Sequence, residues 1–294
     1  MTTDSTRQSP AATVQPGAAA SASASADTVH PASPGLGPSF DMSAQALPTP
    51  EPAEPIVTVD QVSKRFGRGP LVLEQVSLQV TPGEFVCLIG ASGCGKSTLL
   101  NLIAGLDAPS SGQLTAPPAA VMFQESALMP WLSAQQNVEL ALRLRGVGRA
   151  TRGAEALALL DSVNLAEAAE NRPHELSGGM RQRVALARAL AQDRPVLLMD
   201  EPFAALDAIT RDLLHEELRR VWRETGRTIV FVTHNVSEAV RLGERIVLLA
   251  SRPGRVAAQW RVSPAVRRGD AIQSAALTNE ITDRLRQEIS RNAS

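Results

Sequence analysis

The stretch Gly90-Ala91-Ser92-Gly93-Cys94-Gly95-Lys96-Ser97 constrains this chain more than any other. It fits G-x-x-x-x-G-K-[ST] in full. The run Phe85-Val86-Cys87-Leu88-Ile89 before it is short and continuously apolar. That is the texture of a strand buried on both faces of a parallel sheet. After it, Leu99, Leu100 and Ile103 line one face of a helix. Strand, glycine-rich turn and helix are the context the motif requires. Glycines let backbone N–H groups curl around phosphate oxygens with no Cβ in the way, and the helix N-terminus adds partial positive charge. On this reading Lys96 reaches the β- and γ-phosphates of a nucleotide, and the Ser97 hydroxyl ligates Mg²⁺. Gly90, Ala91, Ser92, Gly93, Cys94, Gly95 and Thr98 complete the cradle.

The same apolar texture returns at 196–199, 228–232 and 246–249, with helical patterns near 98–105, 134–145, 154–162, 178–192, 207–225 and 236–242. Strands alternating with helices imply βαβ units with right-handed crossovers. The segment 126–192 is mostly helical and interrupts the alternation, which predicts an inserted helical subdomain. Ahead of Ile56 the texture changes: Ala-Ser repeats and scattered prolines leave too few large apolar residues to offset the entropy of ordering. Residues 1–54 are therefore expected to be a disordered tail, 55–260 the folded core, and 261–294 a C-terminal helical extension.

Composition removes whole classes of function. The formal net charge is -1, and a broad nucleic-acid binder needs a cationic surface. Aromatics are 3% with no Tyr, so no stacking platform for single strands is expected. Cys87 and Cys94 are too few for a disulfide framework. No run is long and apolar enough to suggest a bilayer span.

Two further segments carry chemistry. Val196-Leu197-Leu198-Met199-Asp200-Glu201 is an apolar strand ending in two acids. A strand end facing the phosphate loop brings Asp200 near Mg²⁺ and leaves Glu201 to polarise a water. Leu176-Ser177-Gly178-Gly179-Met180-Arg181 opens a helix with a good N-cap and an unshielded glycine pair.

With these in order, residues 56–260 resemble the ATP-binding cassette ATPases, the motor subunits of ABC transporters. The resemblance implies an α/β fold: a P-loop NTPase core with a parallel sheet, an antiparallel β subdomain and an inserted helical subdomain. It also implies roles. Phe66 looks like the aromatic that stacks on adenine. Gln124 looks like the glutamine that links Mg²⁺ and the attacking water to the helical subdomain. Ser177, Gly178 and Gly179 look like the signature that meets the partner's nucleotide, Ala205-Leu206-Asp207 like the loop crossing the dimer interface, and His234 like the switch histidine on the γ-phosphate. Met180 stands where the family most often has Gln. The implied assembly is a homodimer of ATPase subunits with two transmembrane permease subunits and a periplasmic or lipoprotein solute-binding protein, peripheral on the cytoplasmic face of the cell membrane. Leu128-Met129-Pro130-Trp131 and Ser251-Arg252-Pro253-Gly254-Arg255 look most like the branch importing nitrate, taurine and aliphatic sulfonates. An aliphatic sulfonate is expected, with taurine or nitrate as alternatives and an exporter motor or a soluble cassette protein as rivals. Because Cys94 lies within the loop, its thiol is expected to be more reactive than that of Cys87.

Overall fold

The structure, a computed structural model, describes residues 54–291. The expected tail over 1–54 lies outside those residues except for Glu54. In chain order, β1 is Val57–Arg65, β2 Leu71–Val80, β3 Phe85–Gly90, α1 Lys96–Ile103, β4 Ser111–Thr115 and β5 Ala119–Met122. Three helices follow, α2 Ala134–Arg145, α3 Arg149–Asp161 and α4 Gly178–Ala191. Then come β6 Val196–Asp200, α5 Ala208–Thr225, β7 Thr228–Val232, α6 Val236–Leu242, β8 Arg245–Leu249, β9 Val256–Arg261, α7 Pro264–Arg267 and α8 Ala271–Arg291.

Two sheets form. One is antiparallel, in the order β2-β1-β4; the other runs β5-β6-β7-β3-β8-β9 and is parallel except for the β8–β9 pair. Strand β3 explains how the layers are held. Its alternate residues Phe85, Cys87 and Ile89 belong to one buried cluster, with α4, α5 and α6. Val86 and Leu88 belong to a second, with α1, β1 and β2. A strand packed on both faces has to be apolar at every position, and that is why 85–89 has no alternation.

The helices between β5 and β6 pack on one another through Val138, Leu142, Leu160 and Val184, all buried. The Ser133 side chain accepts from the Gln136 N–H, and Gln136 reaches back to the Ser133 N–H; this capping box fixes the start of α2. Helix α3 begins at Arg149, earlier than the expected 154, because Gly148 has the extended backbone that opens a helix. Strands β4, β5 and β9 were not marked in the sequence pattern.

Parallel order has one decisive consequence. Strands β6, β7 and β3 are neighbours running the same way, so their C-terminal ends share one edge. Gly90, Asp200 and Val232 are those ends.

Candidate functional site

At this edge the phosphate loop closes over its own lysine. The Lys96 side chain is buried, and Nζ donates to the carbonyl oxygens of Gly90 (2.9 Å) and Ala91 (3.1 Å). Gly95 has φ 98°, and a Cβ there would meet Leu73 Cδ2 at 2.6 Å. Only glycine satisfies both the left-handed backbone and the close approach of β2. Cys94 faces inward, fully buried in the cluster with Val86, Leu88 and Leu99. Burial pushes its thiol up, against a smaller lowering by Lys96; burial pushes the Cys87 thiol well up too. The expected order, Cys94 above Cys87, keeps its direction, since the rise is the larger at Cys87, but Cys94 is buried rather than open. The loop turns its backbone outward and its thiol into the core, which makes both thiols poor nucleophiles.

The Ser97 hydroxyl lies near enough to the Asp200 carboxylate to favour its charged form. Burial holds the Asp200 carboxyl above its ordinary range and the Glu201 charge adds to this, while Ser97 and Lys96 oppose it. Glu201 follows with φ 44°, a left-handed backbone for a residue other than glycine. Its N–H donates to the Val232 carbonyl at 3.0 Å, and its carboxylate Oε2 lies 2.9 Å from His234 Nδ1. The chain thus brings Lys96, Ser97, Asp200, Glu201 and His234 to one edge.

A buried network that the sequence did not reveal stands behind His234. Glu238 Oε1 lies 2.6 Å from His215 Nε2, its Oε2 accepts from the Thr233 hydroxyl, and Thr233 Oγ1 in turn accepts from the Asn235 N–H at 3.0 Å. The ring of Phe203 packs 5.6 Å from the His215 ring. Asn235 followed by Glu238 carries the spacing of a helix cap, and the Asn side chain does cap α6. The glutamate turns inward instead of reaching back, which the pattern does not reveal.

The other expected residues stay apart from this cluster. Ser177 caps α4, its Oγ accepting from the Met180 N–H at 3.2 Å. A Cβ added at Gly179 would collide with the Thr210 methyl, so a glycine is needed there, where α4 meets the start of α5, whereas one at Gly178 would only touch Leu206 at 3.6 Å. Met180, in the family's glutamine position, packs partly against the core. The hydrogen bonds of Ser177 and of Lys96 each stay within their own loop and do not join the two segments. Phe66 is half exposed, with Lys64 Nζ 4.8 Å from its ring centroid. Gln124 is exposed, and its carbonyl accepts from Gln182 Nε2 at 3.0 Å. Two contacts tie the segment after Gln124 to the helices. Arg188 donates to the carbonyls of Ser126 and Ala127. Buried Asn137 exchanges hydrogen bonds with Met129 and donates to the Leu132 carbonyl. Trp131 stands between these anchors, 68% exposed.

Comparison with known proteins gives this geometry a context. The ABC transporter family model matches residues 73–204. The taurine import ATP-binding protein TauB of Burkholderia pseudomallei is 49% identical over 219 residues, 70% of this chain and 84% of that protein. The protein of the same name from Chromobacterium violaceum is 48% identical over 229 residues, 74% of this chain and 87% of its own length. Among solved structures, the ATP-binding cassette MJ0796, in a dimeric post-hydrolysis state bound to ADP and Pi, is 34% identical with a TM-score of 0.62. That match covers 70% of this chain and 99% of the other.

Proposed function

Since this chain belongs to the ABC transporter family of ATP-binding proteins, we propose that it is the ATP-hydrolysing subunit of an importer for small sulfonates, with taurine as the solute. One observation carries the hydrolytic reading. The shared edge of β3, β6 and β7 sets the Glu201–His234 pair, 2.9 Å apart, beside the phosphate loop. The solute rests on the relatives named for taurine import. They favour taurine, the stated alternative, over the aliphatic sulfonate that was expected first.

The residues divide the work as follows. ATP phosphates enter the loop at 90–97, and Lys96 exchanges its two carbonyl partners for phosphate oxygens. Phe66 offers a ring face to adenine. Ser97 and Asp200 offer hard oxygens that would hold Mg²⁺, and Gln124, exposed and apart from them in one chain, would complete the set. When bound, the ion would offset the negative charge of the phosphates. Glu201 accepts a proton from the attacking water, while His234 orients that carboxylate and contacts the γ-phosphate. Ser177, Gly178 and Gly179 serve the nucleotide of a second copy packed head to tail, consistent with their separation from Lys96 in one chain.

Among the described residues no helix is long and apolar enough to cross a membrane. We assign the transmembrane path to two permease subunits, with this chain peripheral on the cytoplasmic face and a separate protein delivering the solute. The Trp131 loop is the docking point for the permease. It is clamped from below by Asn137 and Arg188, so a push at Trp131 reaches α4, whose N-terminus carries the signature.

Deleting the gene for this chain from its host is expected to abolish growth on taurine as sole sulfur source. Wild-type growth would overturn the assignment of taurine. A loss confined to longer alkanesulfonates would move the solute within the class. In the complemented strain, Trp131→Ala is expected to cut taurine uptake about tenfold or more, the worth of a buried aromatic anchor. ATP hydrolysis by the isolated subunit should stay near the parental rate. Normal uptake and normal co-purification with the permease would remove Trp131 from the interface.

A further inference from the structure

A cavity of about 960 Å³ lies away from the phosphate loop, where α5 and α6 meet α7 and α8. Arg219, Arg223, Arg241, Arg267 and Arg268 all line it, and no lining residue is acidic. Part of this charge is answered outside the cavity. Arg241 pairs with Asp212 (2.5 Å) and Glu216 (3.3 Å), and Arg267 pairs with Glu244. Arg219 donates to the Arg267 carbonyl at 2.7 Å. Among the described residues, Arg223 and Arg268 form no ion pair. Five guanidinium groups therefore face three carboxylates, leaving a local surplus of about two positive charges.

Such crowding of like charge costs energy. Arg219 shows it: burial first, then Arg223, Arg241 and Arg267, pull its guanidinium below the usual range. A surplus near two matches a dianion, and planar guanidinium forks match tetrahedral oxyanions bidentately. The volume exceeds that of a bare phosphate, so the anion has space for an attached organic group.

We propose that this cavity is a second anion-binding site, specific for a phosphate-bearing molecule of about two negative charges. The shared chemistry is a phosphoryl group, free in solution as a phosphorylated metabolite or presented as the headgroup of an anionic lipid. Bound there, the anion would bridge α5 and α6 to the C-terminal helices. Helix α6 begins at Val236, directly after His234 and its Asn235 cap, so the site lies on the element that follows the catalytic edge.

The test uses the full chain with Lys96→Ala, which weakens phosphate binding at the first site, and pyrophosphate as the soluble probe in isothermal titration. Binding is expected to persist in that variant and to weaken about tenfold or more when Arg223→Gln and Arg268→Gln are added, through loss of two charge-assisted contacts. A parallel arm measures co-sedimentation with phosphatidylglycerol vesicles against phosphatidylcholine vesicles. Arginine-dependent binding of pyrophosphate alone supports a soluble ligand; arginine-dependent binding of the anionic vesicles alone supports a lipid headgroup. Binding of neither probe, or binding unchanged by the two glutamines, overturns the proposal. Both substituted arginines are exposed. An unchanged ATPase rate for Arg223→Gln/Arg268→Gln with Lys96 intact checks that the fold survives.

Discussion

Replacing Glu201 with Gln is expected to slow ATP hydrolysis by about 10²–10⁴, the worth of a positioned general base, while ATP still binds. The substitution keeps the shape of the side chain and one oxygen to face His234 Nδ1, which now lies 2.9 Å from the carboxylate. What disappears is the capacity to take a proton. Lys96, Ser97 and the loop amides are untouched, so affinity survives. With hydrolysis blocked, the head-to-tail pair held by ATP should accumulate, and size-exclusion chromatography with ATP and Mg²⁺ would record it. Asp200→Asn should behave differently, losing nucleotide affinity as well as turnover, because Asp200 rather than Glu201 is the carboxylate that the neighbouring Ser97 hydroxyl acts on. Near-parental hydrolysis by Glu201→Gln, with no gain in dimer, would remove Glu201 from this role.

Glu238→Ala is expected to destabilise the chain by about 3 kcal/mol, with a lower hydrolysis rate as a secondary effect. Glu238 is 7% exposed and joins two buried polar groups, the His215 ring and the Thr233 hydroxyl. Truncation leaves both without that partner, and His215 Nδ1 already has no hydrogen bond. Thr233 precedes His234, so loosening it loosens the residue that orients Glu201. Urea unfolding measures the first effect. A shift below about 1 kcal/mol, the scale of an ordinary surface change, would show that the network does not support this edge.

The contrast between these two glutamates shows what was legible in the sequence. Glu201 was visible because it ends an apolar run beside an acid, a pattern with few meanings once a phosphate loop stands upstream. Glu238 was hidden, since a glutamate in a helix's first turn looks like an ordinary cap partner. The same logic separates the strands. Residues 85–89 were legible because burial on both faces forces a continuous apolar run. Strand β5, Ala119–Met122, is four residues long and begins with two alanines. It is a strand because β6 pairs with it, not through a local preference. Strand β4 is largely exposed and carries no alternation, and β9 is an edge strand paired only with β8. The burial of Cys94 was hidden for a related reason. Position within a motif fixes where the backbone goes, whereas the side of the loop on which a thiol lies depends on a buried cluster whose members include residues far along the chain, Val232 and Leu249 among them.

The left-handed backbone of Glu201 sets the reactive residue against the fold that carries it. At φ 44° a side chain costs roughly 1–2 kcal/mol that glycine would not incur, only partly offset by glycine's greater freedom when unfolded. Heat resistance and turnover therefore pull this position in opposite directions. A library ranked by thermal endurance alone would favour glycine here and return robust proteins with no working motor. Any programme to harden this subunit must hold position 201 fixed and seek its gains elsewhere.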